Sequence, residues 1–310
     1  MKASPQEVLH ENVRPNLWIF AVAALSVAVA AAAILPLTRP QDATWATPAS
    51  TKGESAAMPL WSAPVVNGAP ANPAVLKFSR AISFYMSFNQ LSRVATMSDG
   101  VGAPVRYQGR LLLRHGLYGH AMLAGNQSSI TYSAKGNIDL SKSGSLAVWV
   151  TPYQWKNVRR HVPWMMWLDI KDHGRELIVA REGNRLNHEA VEFWGSSFGN
   201  KGKGVFPGST ISWQDGQWWH LLVVDWTPHS ISACVDGKGW QQVSDPWLGH
   251  ATRMTGTIKI PREPVTQQCL LDELMVFNRP LSGGEVWWLY RQGWNKVTHS
   301  SVGKVGVEPK

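Results

Sequence analysis

Pairs of acidic residues are the first candidates for chemistry in this chain, because two carboxylates that face one cleft can hydrolyse a glycosidic bond. On a β-strand, such a pair needs a spacing of two or four residues to project from one face, and no two of the 21 acidic residues are two apart. Asp172 and Glu176 are four apart, but the His-Gly pair between them predicts a turn. Asp272 and Glu273 are adjacent, which predicts that they face opposite sides of their strand. We therefore predict that the chain is not an enzyme.

Histidine and cysteine patterns add neither a nucleophile nor a zinc site. The chain has no G-x-S-x-G elbow, and Cys234 and Cys269 lack the CxxC spacing of a zinc site. In an oxidising compartment these two cysteines either form a disulfide or remain two separate buried thiols. His115 and His120, in the segment HGLYGH, are a candidate metal pair, although their glycine-rich context predicts a loop. No cofactor is predicted, and the sequence leaves metal binding open.

Tryptophan is abundant, with 17 residues that include the tandem pairs Trp218-Trp219 and Trp287-Trp288. Adjacent residues of a strand point to opposite faces, so Trp218 points outward if Trp219 packs in the core. Exposed tryptophans stack on sugar rings, lie at membrane interfaces or anchor protein interfaces. Trp218 and Trp287 are therefore candidate exposed contacts. The alternative is that loops of the same domain cover them.

The elements that must position these residues are β-strands. From Phe78 onward, short apolar runs of period two are bounded by Gly, Asp, Asn or Pro, which predicts an all-β sandwich or jelly roll. Asp236-Gly237 predicts a two-residue hairpin turn, because both residues tolerate a positive φ. The predicted strands are Ser145–Val150, Trp164–Ile170, Glu176–Ala180, Val191–Trp194, His220–Trp226, Ile231–Val235 and Leu270–Phe277.

Three segments of this region occur in a characteristic order. They are SGSLAVWVTPYQW (143–155), WQDGQWWHLLVVDW (213–226) followed by ISACVDG, and LLDELMVFNRPLSGGEVWWLY (270–290). Together they resemble the laminin-G-like or concanavalin-A-like jelly-roll family, over roughly Phe78 to Gly293. The resemblance implies an antiparallel jelly-roll sandwich of two sheets packed face to face.

The resemblance also implies roles for individual residues. Trp219 and His220 match the family's Trp-His pair, and Asp236 and Gly237 match its hairpin. The closing motif of the family is matched by Asp272, Glu273, Arg279 and Leu281. In the family these are mainly fold determinants, so we expect structural roles rather than ligand contacts. Some family members also hold calcium at the rim of the sandwich, which this sequence does not test.

An apolar run without charge precedes the β-rich region. Residues 18–35 read WIFAVAALSVAVAAAAIL, and residues 16–37 would span about 33 Å as a helix, which matches the core of a bilayer. A transmembrane helix is favoured over a cleaved signal peptide, because fifteen residues with two acids replace the usual short basic leader. Ala24, Ala28 and Ala32 form a small-xxx-small pattern that favours helix packing in lipid, unless alanine is simply abundant here.

The remaining segments complete a single-pass arrangement. We predict a cytoplasmic tail at 1–15, a Pro/Ala-rich linker at 38–77, the sandwich at 78–294 and a polar C-terminal tail at 295–310. This places the sandwich on the periplasmic or extracellular side of the inner (cytoplasmic) membrane. The net charge of +9 lies entirely after Leu37, which favours acidic partners, anionic glycans or lipid headgroups. The basic residues are scattered, which argues against nucleic acid.

Two functional hypotheses follow. The sequence favours a non-catalytic accessory or scaffold subunit of a larger bacterial membrane complex, such as a photosynthetic reaction-centre or light-harvesting assembly. Its helix would dock among integral membrane proteins, and its sandwich would brace them on the periplasmic face. The alternative is a surface-anchored lectin that binds a glycan through outward tryptophans and basic residues. A glycoside hydrolase is the least favoured function.

Overall fold

The structure, a computed structural model, describes residues 72–125, 127–153, 165–172, 174–182, 190–197, 202–207, 219–246, 256–261 and 268–299. The predicted tail 1–15, the transmembrane helix 16–37 with its three alanines, Trp218 and most of the linker lie outside these residues. Among the described residues, no helix has the length and apolar character needed to cross a bilayer.

The described chain folds into two antiparallel sheets with two helices. In chain order the elements are α1 (Pro73–Phe78), β1 (Ile82–Met86), β2 (Met97–Ser98), β3 (Arg106–Gln108), β4 (Leu113–Gly116), β5 (Gly119–Ala124), β6 (Ser129–Ser133), β7 (Gly144–Tyr153), β8 (Met165–Asp172), β9 (Arg175–Glu182), β10 (Ala190–Ser197), β11 (Lys203–Val205), β12 (His220–Thr227), β13 (Ser230–Val235), β14 (Lys238–Ser244), β15 (Thr257–Ile260), β16 (Gln268–Phe277) and α2 (Gly283–His299). The first sheet has the order β14-β13-β12-β7-β16-β1-β2, with β5 and β4 attached beside β16. The second sheet has the order β11-β10-β9-β8-β15-β6-β3.

Apolar side chains pack on both faces of the first sheet. One cluster fills the space between the sheets and includes Phe84, Trp167 and Trp226. A second cluster lies on the outer face of the first sheet, where α1 and α2 cover Trp149 and Phe277. The predicted sandwich is therefore confirmed, and a helical layer that the sequence did not predict covers one of its sheets.

All seven predicted strands are present, as β7, β8, β9, β10, β12, β13 and β16. The sequence did not predict the edge strands β3 and β14, because their side chains are exposed along nearly the whole strand and so lack alternation. It also missed both helices. α1 begins at Pro73, within the predicted linker, and α2 reaches His299, within the predicted C-terminal tail.

The hairpin between β13 and β14 has the predicted turn. Asp236 and Gly237 have φ values of 56° and 70°, as a type I′ turn requires. The Asp236 carboxylate lies 2.8 Å from Nδ1 of His220 and accepts a hydrogen bond of 2.9 Å from the Leu221 amide. Trp219 is half-buried against the outer cluster. The two bonds of Asp236 therefore join the start of β12 to the hairpin turn.

The closing segment connects β16 to α2 through polar side chains. Arg279 donates two hydrogen bonds to the Glu285 carboxylate, at 3.0 and 2.7 Å. These bonds, together with donors from Ser282, lower the pKa of Glu285 to about 2 although partial burial opposes the shift. Ser282 and Glu285 form a capping box at the start of α2. The buried Leu281 donates its amide to Ser145 Oγ at 2.8 Å.

The two cysteines are free and buried. Cys234 lies on the outer face of β13, and Cys269 lies on β16 in the core between the sheets. β12 and β7 separate these two strands, so the strand spacing alone puts the cysteines about 14 Å apart, beyond the reach of a disulfide. The disulfide alternative is therefore excluded.

A β-bulge in β16 overturns the prediction that Asp272 and Glu273 face opposite sides. The register of β16 shifts between Asp272 and Met275, and Glu273 has a φ of 53°. Leu271 and Leu274 both point into the core between the sheets, so the two residues between them face outward together. The extra residue of a bulge breaks the alternation on which the prediction rested.

Both carboxyl groups of the bulge are buried and bonded. Asp272 accepts hydrogen bonds from the amides of Leu117 and Tyr118, at 2.7 and 3.2 Å. Glu273 Oε2 accepts from Asn72 Nδ2 at 2.5 Å and from the Tyr85 hydroxyl at 2.7 Å. The Asn72 side chain also caps α1 by accepting the Ala74 amide at 2.9 Å. The bulge therefore joins the β4–β5 turn, β1 and α1 to the centre of the first sheet.

The bulge also gives the fold a pH-dependent component of stability. Burial raises the pKa of Glu273 to about 8, although hydrogen bonds from Tyr85 and Asn72 oppose the shift, and burial together with the adjacent Glu273 charge raises the pKa of Asp272 as well. An unfolded glutamate titrates near about 4.3. Between these values the folded chain retains a proton that the unfolded chain releases, so the free energy of unfolding falls as the pH rises from about 4.3 to about 8.

We predict that Glu273→Gln reduces this loss of stability, because the amide cannot ionise and still offers one oxygen to Asn72 and Tyr85. Urea denaturation of the full chain at about pH 5 and about pH 8 measures the change. Asp245→Asn is the control, because Asp245 is exposed. An unchanged pH dependence in Glu273→Gln would show that Glu273 is ionised in the folded chain.

Candidate functional site

A cleft of about 650 Å³ opens at one end of the sandwich. It lies where β6, β8, β12 and β16 end and where β1, β7 and β15 begin, so both sheets contribute to it. The almost fully buried Trp226 and Phe277 are among its lining residues. Its polar lining consists of Ser83, Asp99, Ser133, Lys135, Asn137, Asp139, Lys142, Ser143, Asp172 and Asn278.

The Asn137 side chain holds the two loops that form the rim of this cleft. Its Oδ1 accepts hydrogen bonds from Ser98 Oγ at 2.7 Å and from the Gly100 amide at 3.0 Å. Its Nδ2 donates to the carbonyls of Val101 and Ser133, at 3.1 and 3.0 Å. Asn137 is fully buried, and these four bonds use both donors and both acceptor sites of the amide. The loop after β2 and the loop after β6 are thereby held together.

Two glycines allow these loops to approach so closely. A Cβ at Gly100 would lie 2.2 Å from the Lys135 carbonyl oxygen, which is a severe clash. Gly136 has a φ of 79°, a conformation that favours glycine. The turn signals Asp-Gly at 99–100 and Gly-Asn at 136–137 are visible in the sequence, but their contact across the rim is not.

Both sheets hold the loop between β6 and β7. Ser83 Oγ of β1 donates to the Asn137 carbonyl at 2.7 Å, and Trp226 Nε1 of β12 donates to the Asp139 carbonyl at 3.3 Å. From the second sheet, Asp172 accepts the Leu140 amide at 2.9 Å, and Arg175 donates to the Leu140 carbonyl. The wall of the cleft is therefore held in place before any ligand arrives.

The charged groups of the cleft fall into two classes. Asp139 is occupied, because it accepts from the Ser141 amide at 2.9 Å and pairs with Lys142 at 3.1 Å. Within the described part of the chain, the Asp99 carboxylate and the Lys135 ammonium have no hydrogen-bonding or ionic partner. Partial burial raises the pKa of Asp99. Both side chains are nevertheless exposed, and a free acceptor beside a free donor is suited to bind a polar ligand.

The predicted contact residues lie away from this cleft. Trp287 is 44% exposed on α2. His115 and His120 stand opposite each other in the β4–β5 hairpin, where the sequence predicted a loop, and both are exposed. In the described ranges, no group of three or more His, Cys, Asp or Glu residues is placed to hold a metal ion. The cleft residues Asp99, Lys135 and Asn137 were not predicted from the sequence as candidate contacts.

A second aromatic position lies on the outer face of the second sheet. The ring of half-buried Trp194 packs across Gly202 and Gly204, where an added Cβ would lie within 2.7 Å of the ring. Lys171 bridges Asp169 and Glu176 at 3.7 and 3.3 Å nearby on this face. These three charged groups of the outer face are therefore paired with one another, whereas Asp99 and Lys135 of the cleft have no partner in the described part of the chain.

Comparison with known proteins supports the fold. No protein-family model matches the chain, and no curated protein matches it. The binding domain of Paraclostridial Mosquitocidal Protein 1 is similar, with a TM-score of 0.55 and 14% identity over 70% of this chain and 53% of that one. The receptor binding domain of the botulinum neurotoxin C/D mosaic serotype is also similar, with a TM-score of 0.54 and 12% identity over 68% of this chain and 51% of that one.

A third similar structure contains a ligand. The binding domain of botulinum neurotoxin DC in complex with SialylT has a TM-score of 0.51 and 12% identity, over 69% of this chain and 51% of that one. The chain spans about half the length of these binding domains. At such identities the likeness shows the β-sandwich fold.

We predict that Asn137→Ala lowers the free energy of unfolding by about 2–4 kcal/mol, because it removes the four hydrogen bonds with which this buried amide joins the two loops. Asn278→Ala is the matched control. Its amide lines the same cleft but is exposed and makes one long bond of 3.4 Å, so we expect a change within about 0.5 kcal/mol. Urea denaturation measures both. Equal effects of the two substitutions would contradict the role given to Asn137.

Proposed function

We propose that this chain is a non-catalytic carbohydrate-binding protein that binds a glycan in the rim cleft. In this proposal, residues 16–37 anchor it in the inner membrane and the sandwich lies on the periplasmic or extracellular side. The observation that carries the proposal is that Asp99 and Lys135, which have no bonding partner among the described residues, line a cleft whose wall is already held in place.

The chemistry of the cleft suits a sugar. Each sugar hydroxyl both donates and accepts hydrogen bonds, so a carboxylate acceptor and an ammonium donor can bind the same ring. A volume of about 650 Å³ is within the range of small-ligand sites.

The similar solved structures agree with binding rather than catalysis. They are receptor-binding or binding domains, and one of them is in complex with SialylT. A carbohydrate-binding sandwich also fits the laminin-G-like or concanavalin-A-like resemblance of the sequence. That resemblance, and the accessory-subunit hypothesis with its integral membrane partners, remain predictions, and no observation on the described residues favours the accessory role.

We predict that the full chain in detergent retains a glycan on an array, and that Lys135→Ala and Asp99→Asn each weaken its affinity about tenfold. A lost hydrogen bond to a charged group costs about 1.5–3 kcal/mol. Isothermal titration with the captured glycan measures the change. Lys238→Ala and Asp245→Asn are matched controls, because both residues are exposed and outside the cleft.

Two results would contradict the proposal. One is the absence of any retained glycan. The other is a retained glycan whose affinity is unchanged by both cleft substitutions, which would place its binding site elsewhere on the sandwich.

A further inference from the structure

The exposed tryptophans of the described chain all lie on the outer face of the first sheet. They are Trp240, Trp287 and Trp294, which are 39%, 44% and 38% exposed. Trp287 and Trp294 lie on α2, and the edge of the Trp287 ring is 3.4 Å from a Cβ placed on Gly237 of the β13–β14 turn. Trp240 follows on β14. Its strand neighbour Gln241 bonds to Phe206, directly after β11 of the second sheet, so Trp240 points to the opposite, outer face, which also carries α2.

The aromatic side chains of α2 form a continuous ridge. The ring centroids of Trp287 and Tyr290 are 5.5 Å apart, and those of Tyr290 and Trp294 are 6.0 Å apart. Tyr290 also stacks on Trp149 of the sheet, at 6.2 Å and 15°. A Cβ at Gly293 would lie 2.1 Å from the Trp149 ring, so α2 sits directly on the sheet and cannot rotate to bury its tryptophans. We call Trp240, Trp287, Tyr290 and Trp294 the aromatic ridge.

The charged groups beside the aromatic ridge that have no partner among the described residues are cationic. Lys238 and Arg291 are exposed, and among the described residues neither has a hydrogen-bonding or ionic partner. The nearby Asp236 carboxylate is already bound by His220 and the Leu221 amide. The ridge therefore combines exposed aromatic rings with free cations and offers no free carboxylate to sugar hydroxyls.

This combination matches the lipid headgroup region. Tryptophan and tyrosine concentrate at membrane interfaces, and lysine and arginine extend to phosphate groups beside them. The N-terminal chain enters the domain on the same outer layer, because α1 packs against α2 through Phe78 and Trp288 at 5.7 Å. A chain anchored before residue 38 thus joins the sandwich on the face that carries the ridge.

We propose that the aromatic ridge rests on the headgroup region of an anionic bilayer, with Lys238 and Arg291 at its phosphates. This inference rests on the membrane anchor in the proposed function. It orients the domain, with the α2 face on the membrane and the second sheet away from it.

A spin label on the ridge tests this orientation in the full chain. The native cysteines are both 0% exposed, so a nitroxide reagent labels an introduced cysteine selectively. We compare Trp294→Cys with Tyr107→Cys, an exposed position on β3 of the second sheet. Each labelled chain is reconstituted into phosphatidylcholine vesicles with and without phosphatidylglycerol. Power saturation then measures the accessibility of the label to oxygen and to a water-soluble nickel chelate.

We expect position 294 to gain oxygen accessibility and lose nickel accessibility in vesicles with phosphatidylglycerol, whereas position 107 stays accessible to nickel. Adding Trp287→Ala and Trp240→Ala to the labelled Trp294→Cys chain should lower the oxygen accessibility and raise the nickel accessibility of position 294, toward the values at position 107. Both rings are exposed, so circular dichroism is expected to show the fold unchanged.

Flotation of the vesicles distinguishes a failure of the membrane anchor from a failure of the ridge proposal. A chain that does not float contradicts the anchor, and with it the proposed location. A chain that floats with position 294 fully accessible to nickel overturns the ridge proposal alone. Protection of position 294 from both reagents only when other membrane proteins are present would also overturn it, because the occupant would then be a protein.

Discussion

The β-bulge at Asp272–Glu273 is the constraint on which the layered arrangement depends. It lies where the neighbour of β16 changes from β5 to β1. By adding one residue, it turns two adjacent carboxyl groups to the same outer face, where their bonds reach the β4–β5 turn, β1 and α1. A regular strand would have sent one of these groups into the apolar core between the sheets, where no such partners lie. Of the helical layer, α1 is therefore attached to the sheet by a local irregularity of β16, whereas α2 packs on the sheet through its apolar side chains.

The rim cleft is built on the same physical rule, which is that a buried polar side chain is stable when its partners are fixed. Asn137 bonds backbone groups on both sides of the rim, and the loop it belongs to is bonded to both sheets. In the part of the chain that the structure describes, Asp99 and Lys135 take part in none of these bonds. The same end of the sandwich thus contains a rigid frame and free polar groups, which is the arrangement that a preformed binding site needs.

The sequence predicted what depends on local pattern. The seven strands follow from alternation and from the turn residues that bound them, and the Asp236-Gly237 turn follows from its tolerance of positive φ. The exposed strand β14 has no alternation to detect, and α2 went unrecognised although Ser282 and Glu285 mark its start. The bulge could not be predicted, because one extra residue reverses the expected face of Glu273. The cleft joins loops distant in sequence, so its residues were visible only as turn signals.

Hydrogen exchange of the full chain with and without its captured glycan tests the central claim most directly, because it locates the ligand without altering a residue. The account predicts that slowed exchange is concentrated at 97–102 and 133–143, the two loops that Asn137 joins. It also predicts no change in β9 and β10, which carry the outer face around Trp194. Protection confined to β9 and β10, with the rim loops unaffected, would contradict the assignment of the cleft as the binding site.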